Sequence, residues 1–140
     1  MIWFKKYTAE EVNPIRKNTL VEHIGIEITE VGDHFLKGTM PVDHRTVQPA
    51  RILHGGASAA LIETLGSIAS YLTINPEEKI CVGLELNINH IRSATSGLVT
   101  GIATPVHLGK TTHIWNVEIT DESEKKIAVG RITMMILDKK

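Results

Sequence analysis

The chain has 140 residues and a mass of 15.4 kDa, with 15 Lys and Arg, 16 Asp and Glu, and a net charge of −1 at pH 7. This length suits one domain over residues 1–140, and the near balance of charge excludes nucleic-acid binding driven by bulk positive charge. The single cysteine, Cys81, excludes an internal disulfide and favours the cytoplasm, and no apolar run predicts a signal peptide or a membrane span.

The first fifty residues predict a helix, two strands and a loop. Thr8-Ala9-Glu10-Glu11 has the spacing of a capping box, which predicts a helix over residues 9–18. Residues 25–31 and 35–42 read as two strands of a hairpin around Gly32-Asp33. Residues 43–53 show no regular spacing of apolar residues and are predicted to form a loop.

Residues 52–75 predict a long helix that is apolar on nearly every side. Between Arg51 and Glu77 the only charged residue is Glu63. Such a helix is expected to be enclosed by the rest of the fold. Its main apolar stripe is predicted to consist of Leu61, Leu65, Ile68 and Leu72, and a second stripe of Glu63, Ser67 and Ser70 could line a pocket.

After Pro76, apolar residues recur at every second position, which is typical of β-strands. Val82, Leu84, Leu86 and Ile88 alternate with small or polar residues, and His90 continues their parity, so it should point towards the helix unless a bulge intervenes. Residues 98–108, 112–120 and 126–137 predict three more strands, with an edge or a bulge at Pro105. The simplest architecture is α+β, with one curved antiparallel sheet wrapped around the long central helix.

Two features of this helix suggest chemistry. Glu63 as a buried carboxylate would need donors, a shifted pKa or a solvent-filled cleft. A structural role, with a buried partner or at a subunit interface, is about as plausible as a catalytic role. His54-Gly55-Gly56 places free backbone N–H groups at the positive end of the helix dipole, where an oxyanion or a phosphate can bind. Gly55 precedes Glu63 by about 12 Å along the axis. Taken alone, the glycine pair indicates close helix packing.

Other polar residues have weaker signals. Gln48 can orient water or a carbonyl, although loop packing is the commoner role, and Ser67 can hold a water or bond back to the carbonyl of Glu63. The seven histidines form no metal-ligand pattern. His90 suits either a site or the core, whereas four others are expected to be ordinary surface or turn residues: His23, His34, His44 and His113. Cys81 has no setting that indicates catalysis.

Three segments together carry a family resemblance: DHRTVQPARILHGGASAALIETLGS, VGLELNINHIRSA and TPVHLGK. They resemble hotdog-fold acyl-CoA thioesterases of the 4-hydroxybenzoyl-CoA thioesterase superfamily, in the bacterial branch that acts on aryl-CoA such as 1,4-dihydroxy-2-naphthoyl-CoA. The likeness covers nearly the whole chain. It implies a hotdog fold, hydrolysis of a thioester without a metal or redox cofactor, and coenzyme A as part of the substrate.

The resemblance also implies a role for each matching residue of the helix and the preceding loop. Glu63 matches the catalytic carboxylate, as nucleophile or general base, and the Gly55 amide matches the donor that polarises the thioester carbonyl. His54 matches the neighbour that supports this donor. Gln48 and Ser67 match groups that position the hydrolytic water.

Residues of the sheet complete the implied site. His90 matches an active-site histidine in the strand motif. Arg92, with Lys110 and Thr111, falls where the family holds the phosphates of coenzyme A near a subunit boundary, and Ser93 beside Arg92 offers a further polar group. The resemblance further implies a homodimer that completes the site, paired into a homotetramer.

The sequence departs from the branch pattern at Ala50-Arg51, where an aromatic residue followed by Gly is more usual. A missing aromatic side chain changes the acyl pocket and leaves the reaction class intact. The leading hypothesis is therefore an aryl-CoA thioesterase. The alternatives are an enoyl thioester hydratase, for which no histidine with an acidic loop partner is apparent, and a non-catalytic acyl-CoA binding module.

Overall fold

In the computed structural model, which describes residues 1–140, a long helix packs against a six-stranded antiparallel sheet. The helix, α3, spans Gly55–Thr73, and the strands are β1 (Glu27–Val31), β2 (Leu36–Pro41), β3 (Lys79–His90), β4 (Leu98–Leu108), β5 (Thr112–Thr120) and β6 (Lys126–Asp138). Their order is β1-β2-β4-β5-β6-β3, so β1 and β3 form the edges. The predicted α+β architecture and all six strands are confirmed. No helix has the length and apolar character needed to cross a membrane.

The amino-terminal helix predicted over residues 9–18 is wrong in its extent. It is divided into α1 (Ala9–Val12), a 3-10 helix (Asn13–Arg16) and α2 (Leu20–His23). The capping box is present, since Thr8 and Glu11 each accept a hydrogen bond from the other's backbone N–H. Pro14 lacks the N–H that a continuing α-helix needs, and Asn18 has φ of 59°, which ends the helical run.

The main stripe of α3 is confirmed as part of the core. Leu61, Leu65, Ile68 and Leu72 are all buried and join a cluster of 25 buried apolar residues. The prediction that α3 is enclosed holds for most of the helix, since nine of its nineteen residues are buried, but one flank is left uncovered. The uncovered flank includes Glu63 and Tyr71, both of which are exposed in the single chain.

The edge strand β3 contains a bulge between Gly83 and Glu85 that changes which side chains face the helix. Gly83 lies opposite the buried Met134, and Leu86 lies opposite the buried Ile132. Val82 and Leu84 are exposed, so their predicted place on the helix-facing side is wrong. After the bulge, the even-numbered residues Leu86, Ile88 and His90 face the helix side of the sheet, as predicted. Pro105 also lies at a bulge, in β4, which is an interior strand.

Ser70 and His113 form a buried polar cluster with Trp115. The indole N–H of Trp115 donates to Ser70 Oγ at 2.7 Å, and His113 Nδ1 lies 3.1 Å from the same oxygen. Burial lowers the pKa of His113, which its backbone contact with Gly109 partly opposes. The predictions of a surface His113 and of a pocket-lining Ser70 are therefore wrong, because both are buried where α3 packs on β5.

Candidate functional site

A cavity of about 320 Å³ at the amino end of α3 gathers half of the predicted site residues. Its lining includes Gln48, Gly55, His90, Arg92 and Ser93. The loop before α3, the first residue of α3 and the end of β3 contribute these groups, although they are far apart in the sequence. Five of the ten residues predicted for the site therefore lie around one cavity.

The amino end of α3 presents a backbone donor without an acceptor. His54 caps the helix, and its Nδ1 accepts the backbone N–H of Gly56 at 2.7 Å. In the neutral imidazole the proton therefore lies on Nε2. The N–H of Gly55 makes no hydrogen bond within the chain. Gly55 itself lines the cavity. An unpaired donor at the positive end of a helix is suited to binding an oxygen that carries negative charge.

His90 explains why residue 55 is a glycine. A Cβ added at Gly55 would lie 2.8 Å from His90 Cε1 and 2.9 Å from Nε2, closer than side-chain atoms pack. The imidazole thus lies directly against the helix start, on the side that its strand parity predicts. Any side chain at Gly55 would therefore displace the His90 imidazole.

The side chain of Gln48 is held in one orientation by its own loop. Gln48 Oε1 accepts the backbone N–H of Ala50, and the backbone carbonyl of Gln48 accepts the N–H of Arg51. The amide nitrogen of Gln48 is consequently left to donate into the cavity. Earlier in this loop, hydrogen bonds from Arg45 lower the pKa of Asp43 to about 2 and fold the chain back on itself.

Glu63 lies on the uncovered flank of α3, not in the interior. It is exposed in the single chain and has no ion pair or hydrogen bond with any other group. Its carboxylate lies against Gly83 of β3. The sequence-based prediction of a buried carboxylate is wrong, and Glu63 has no ion-pair partner within the chain. Glu63 does not line the cavity at Gly55.

Ser67 lines a different cavity of about 480 Å³, one helical turn beyond Glu63. Ile68, Tyr71 and Cys81 also line it. The Cys81 thiol contacts the Ser67 carbonyl at 3.7 Å, and burial raises the pKa of this thiol. Ser67 does not bond back to Glu63. Sequence reasoning missed Tyr71 here, although its position four residues after Ser67 places it on the same flank.

Lys110 and Thr111 lie in the turn between β4 and β5, away from Arg92 and Ser93. Lys110 lines a third cavity, which also contacts Thr73 at the carboxyl end of α3. One chain therefore does not bring together the four residues predicted to hold coenzyme A. No group of three or more His, Cys, Asp or Glu side chains lies close enough together to hold a metal ion.

The sequence model of the thioesterase superfamily matches residues 50–128 of the chain. The chain is 45% identical over 137 residues to 1,4-dihydroxy-2-naphthoyl-CoA hydrolase of Escherichia coli (strain K12), covering 98% of this chain and 100% of that one. It is also 45% identical over 137 residues to the proofreading thioesterase EntH of Cronobacter turicensis, with coverage of 98% and 99%.

Solved structures give the same relationship. The crystal structure of a thioesterase from Haemophilus influenzae superposes with a TM-score of 0.95 at 44% sequence identity. The match covers 99% of this chain and 96% of the other. The similarity therefore extends over both the sheet and the helix that carry the candidate site.

Proposed function

The chain belongs to the thioesterase superfamily, has the hotdog fold and is a thioester hydrolase, and on this premise we propose that it hydrolyses acyl-CoA esters with aromatic acyl groups. One observation carries the proposed mechanism. The helix α3 presents two groups without partners in the chain, the amide of Gly55 and the carboxylate of Glu63. A donor for the developing oxyanion and an acceptor for a proton are the groups that thioester hydrolysis requires.

The Gly55 amide is proposed to bind the thioester carbonyl oxygen. Negative charge grows on this oxygen as the carbonyl is attacked, and the positive helix end stabilises it. One such donor typically lowers the barrier by about 3 kcal/mol. The hydrogen bond from Gly56 to His54 keeps the helix start in shape, and the free amide nitrogen of Gln48 offers a second donor for the carbonyl or for water.

Glu63 is proposed to supply the base or the nucleophile. As a base it takes a proton from water while the water oxygen attacks the carbonyl carbon, and the carbon–sulfur bond then breaks to release coenzyme A thiolate. As a nucleophile it attacks the carbonyl carbon and expels coenzyme A thiolate, and water then hydrolyses the resulting mixed anhydride. Both routes use the same carboxylate. Ser67, one turn further along α3, is proposed to hold the water.

The cavity beside Ser67 is proposed to take the acyl group. Ile68 and Tyr71 give it an apolar wall next to the flank that carries Glu63. The similarity to a protein named 1,4-dihydroxy-2-naphthoyl-CoA hydrolase supports an aromatic acyl group. Arg92 makes no ion pair in the chain and lies at the other cavity, where its guanidinium could hold a phosphate of coenzyme A.

A homodimer paired along β3 is proposed to complete the site. This strand bonds only to β6, which leaves one edge free for a second copy. In antiparallel two-fold pairing, the His90 end of one β3 lies beside the Lys79 end of the other. Since His90 borders the Gly55 cavity and Lys79 borders the Ser67 cavity, the dimer joins these two cavities across the boundary. Lys110 and Thr111 would then act across subunits. The dimer of dimers and the cytoplasmic location stay predictions.

The reaction is tested by comparing products from a panel of aryl-, fatty and short-chain acyl-CoA esters. Release of free thiol, with the highest kcat/KM for aryl esters, is expected for the proposed function. Loss of an enoyl double bond without thiol release would instead indicate a hydratase. Saturable binding of the esters without turnover would indicate a binding module, and either of these results would contradict the proposal.

A further inference from the structure

We propose that Gly83 is a positioning residue for Glu63, and that the bulge of β3 forms a notch that holds the Glu63 carboxylate in its reactive place. This inference rests on the proposed catalytic role of Glu63. The three atoms nearest to a Cβ added at Gly83 are Oε1, Cδ and Oε2 of Glu63, the latter two at 3.4 and 3.9 Å. A methyl group at residue 83 would therefore occupy the volume that Glu63 Oε1 occupies now.

The backbone conformation does not explain the glycine. Only Gly25 and Gly97 among the glycines have a positive φ, so the backbone of Gly83 is one that any L-residue adopts. The requirement at Gly83 is one of space. Because every neighbour near its missing side chain belongs to Glu63, the carboxylate is the group for which that space exists.

The bulge explains why the notch faces α3. Gly83 lies opposite the inward-facing Met134, so its missing side chain would point towards the helix. The register shift that follows leaves Leu84 exposed on the edge strand. Bulges often redirect side chains beside active sites. Here the bulge places an inward-facing glycine level with Glu63.

The notch matters because nothing else in the chain fixes the carboxylate. Glu63 is exposed and has neither an ion pair nor a hydrogen bond, so its rotamer depends on the surface it touches. A displacement of about 1 Å at a reacting group can lower the rate by about 100-fold. Filling the notch should therefore change turnover while leaving the rest of the fold unchanged.

Gly83→Ala tests this inference when it is compared with Gly101→Ala. The Gly83→Ala variant should lower kcat by at least ~10-fold, with KM within ~2-fold and an unchanged melting temperature, because it displaces only the end of an exposed side chain. Gly101 lies in β4, and a Cβ there would meet the buried Leu65 and Leu61. Gly101→Ala should lower the melting temperature and keep kcat.

A second comparison separates positioning from general disturbance. Glu63→Asp shortens the side chain and withdraws the carboxylate from the notch, so the additional methyl of Gly83→Ala should reduce kcat less in that background than in the wild type. An equal reduction in both backgrounds, or a Gly83→Ala enzyme with at least half of the wild-type kcat, would overturn the inference.

The remaining outcomes distinguish the inference from the proposed function. If Glu63→Gln is inactive while Gly83→Ala is fully active, only the positioning role is wrong. If Glu63→Gln is active, the proposed mechanism itself is wrong. Should Gly83→Ala not fold, adding Glu63→Ala should restore folding by removing the overlapping carboxylate, and failure to restore it would also overturn the inference.

Discussion

The residues at the amino end of α3 each use one polar atom to fix their position and leave another free. His54 accepts the Gly56 N–H through Nδ1 and keeps its proton on Nε2, whereas Gln48 accepts the Ala50 N–H through Oε1 and keeps its amide nitrogen. Gly55 is left with an unpaired N–H. Such a division gives a preorganised set of donors, which stabilises a developing oxyanion better than mobile groups do.

Sequence reasoning identified these residues but not the environment of Glu63. Glu63 is the single charged residue between Arg51 and Glu77, and its catalytic role stays a prediction. Its burial could not be predicted from the apolar composition of α3, because composition does not say how many sides of a helix the sheet covers. The position of Glu63 against Gly83 depends on a bulge, for which the sequence has no clear signal.

The backbone conformation of Arg51 leads to a prediction about stability. It has φ of 65°, in the left-handed region that costs a non-glycine residue about 1 kcal/mol. Arg51→Gly should therefore raise the free energy of unfolding by up to about 1 kcal/mol, measured by chemical denaturation. Its kcat should stay near the wild-type value, because Arg51 is exposed and does not line the Gly55 cavity. A loss of stability would show that the Arg51 side chain makes a stabilising contact.

At the scale of elements, α3 and β3 show where periodicity predicts structure and where it fails. The period of Leu61, Leu65, Ile68 and Leu72 located the buried face of α3 correctly. Strict alternation along β3 failed at Val82 and Leu84, since one additional residue reverses the sides of a strand. The amino-terminal helix failed for a reason visible in the sequence, the proline at residue 14.

The buried cluster between α3 and β5 predicts a pH dependence of stability. His113 has a lowered pKa because it is buried, so the unfolded chain binds its proton more readily than the folded one. Its contribution to stability is complete above the unfolded pKa of about 6.5 and is lost as the pH falls from there towards the folded pKa.

Chemical denaturation of the wild type and of His113→Gln at pH 7.5, 6.5 and 5.5 measures this effect. The free energy of unfolding should fall more steeply with decreasing pH in the wild type than in the variant. Comparison of slopes is needed because Gln lowers stability at every pH by disturbing the contact with Ser70. Parallel pH profiles would contradict this assignment.

At the scale of the whole molecule, the single chain is incomplete in two related ways. One edge of β3 and one flank of α3 have no covering element, and the predicted site residues are divided among separate cavities. The family resemblance predicted a homodimer with a shared site, and the free edge of β3 supplies a physical reason for one. The sequence could not predict that Gly55 and Ser67 line different cavities of one chain.

Mixing two inactive variants tests the shared site. Glu63→Gln and Gln48→Ala alter groups on the two sides of the proposed boundary, so a mixed dimer has one site with both groups intact. After subunit exchange of equal amounts, half of the dimers are mixed, and activity should rise to about a quarter of the wild-type value. Activity equal to the mean of the two parent variants would place both groups in the same chain.

The central claim is that the Glu63 carboxylate performs the hydrolysis, and steady-state turnover of Glu63→Gln on an aryl-CoA ester tests it most directly. The substitution keeps the size of the side chain and removes its basic oxygen, so kcat should fall by at least ~100-fold while the melting temperature stays unchanged. Glu77→Gln, at an exposed residue beyond α3, is the matched control and should keep full turnover. A Glu63→Gln enzyme that keeps more than about a tenth of the wild-type kcat would contradict the claim.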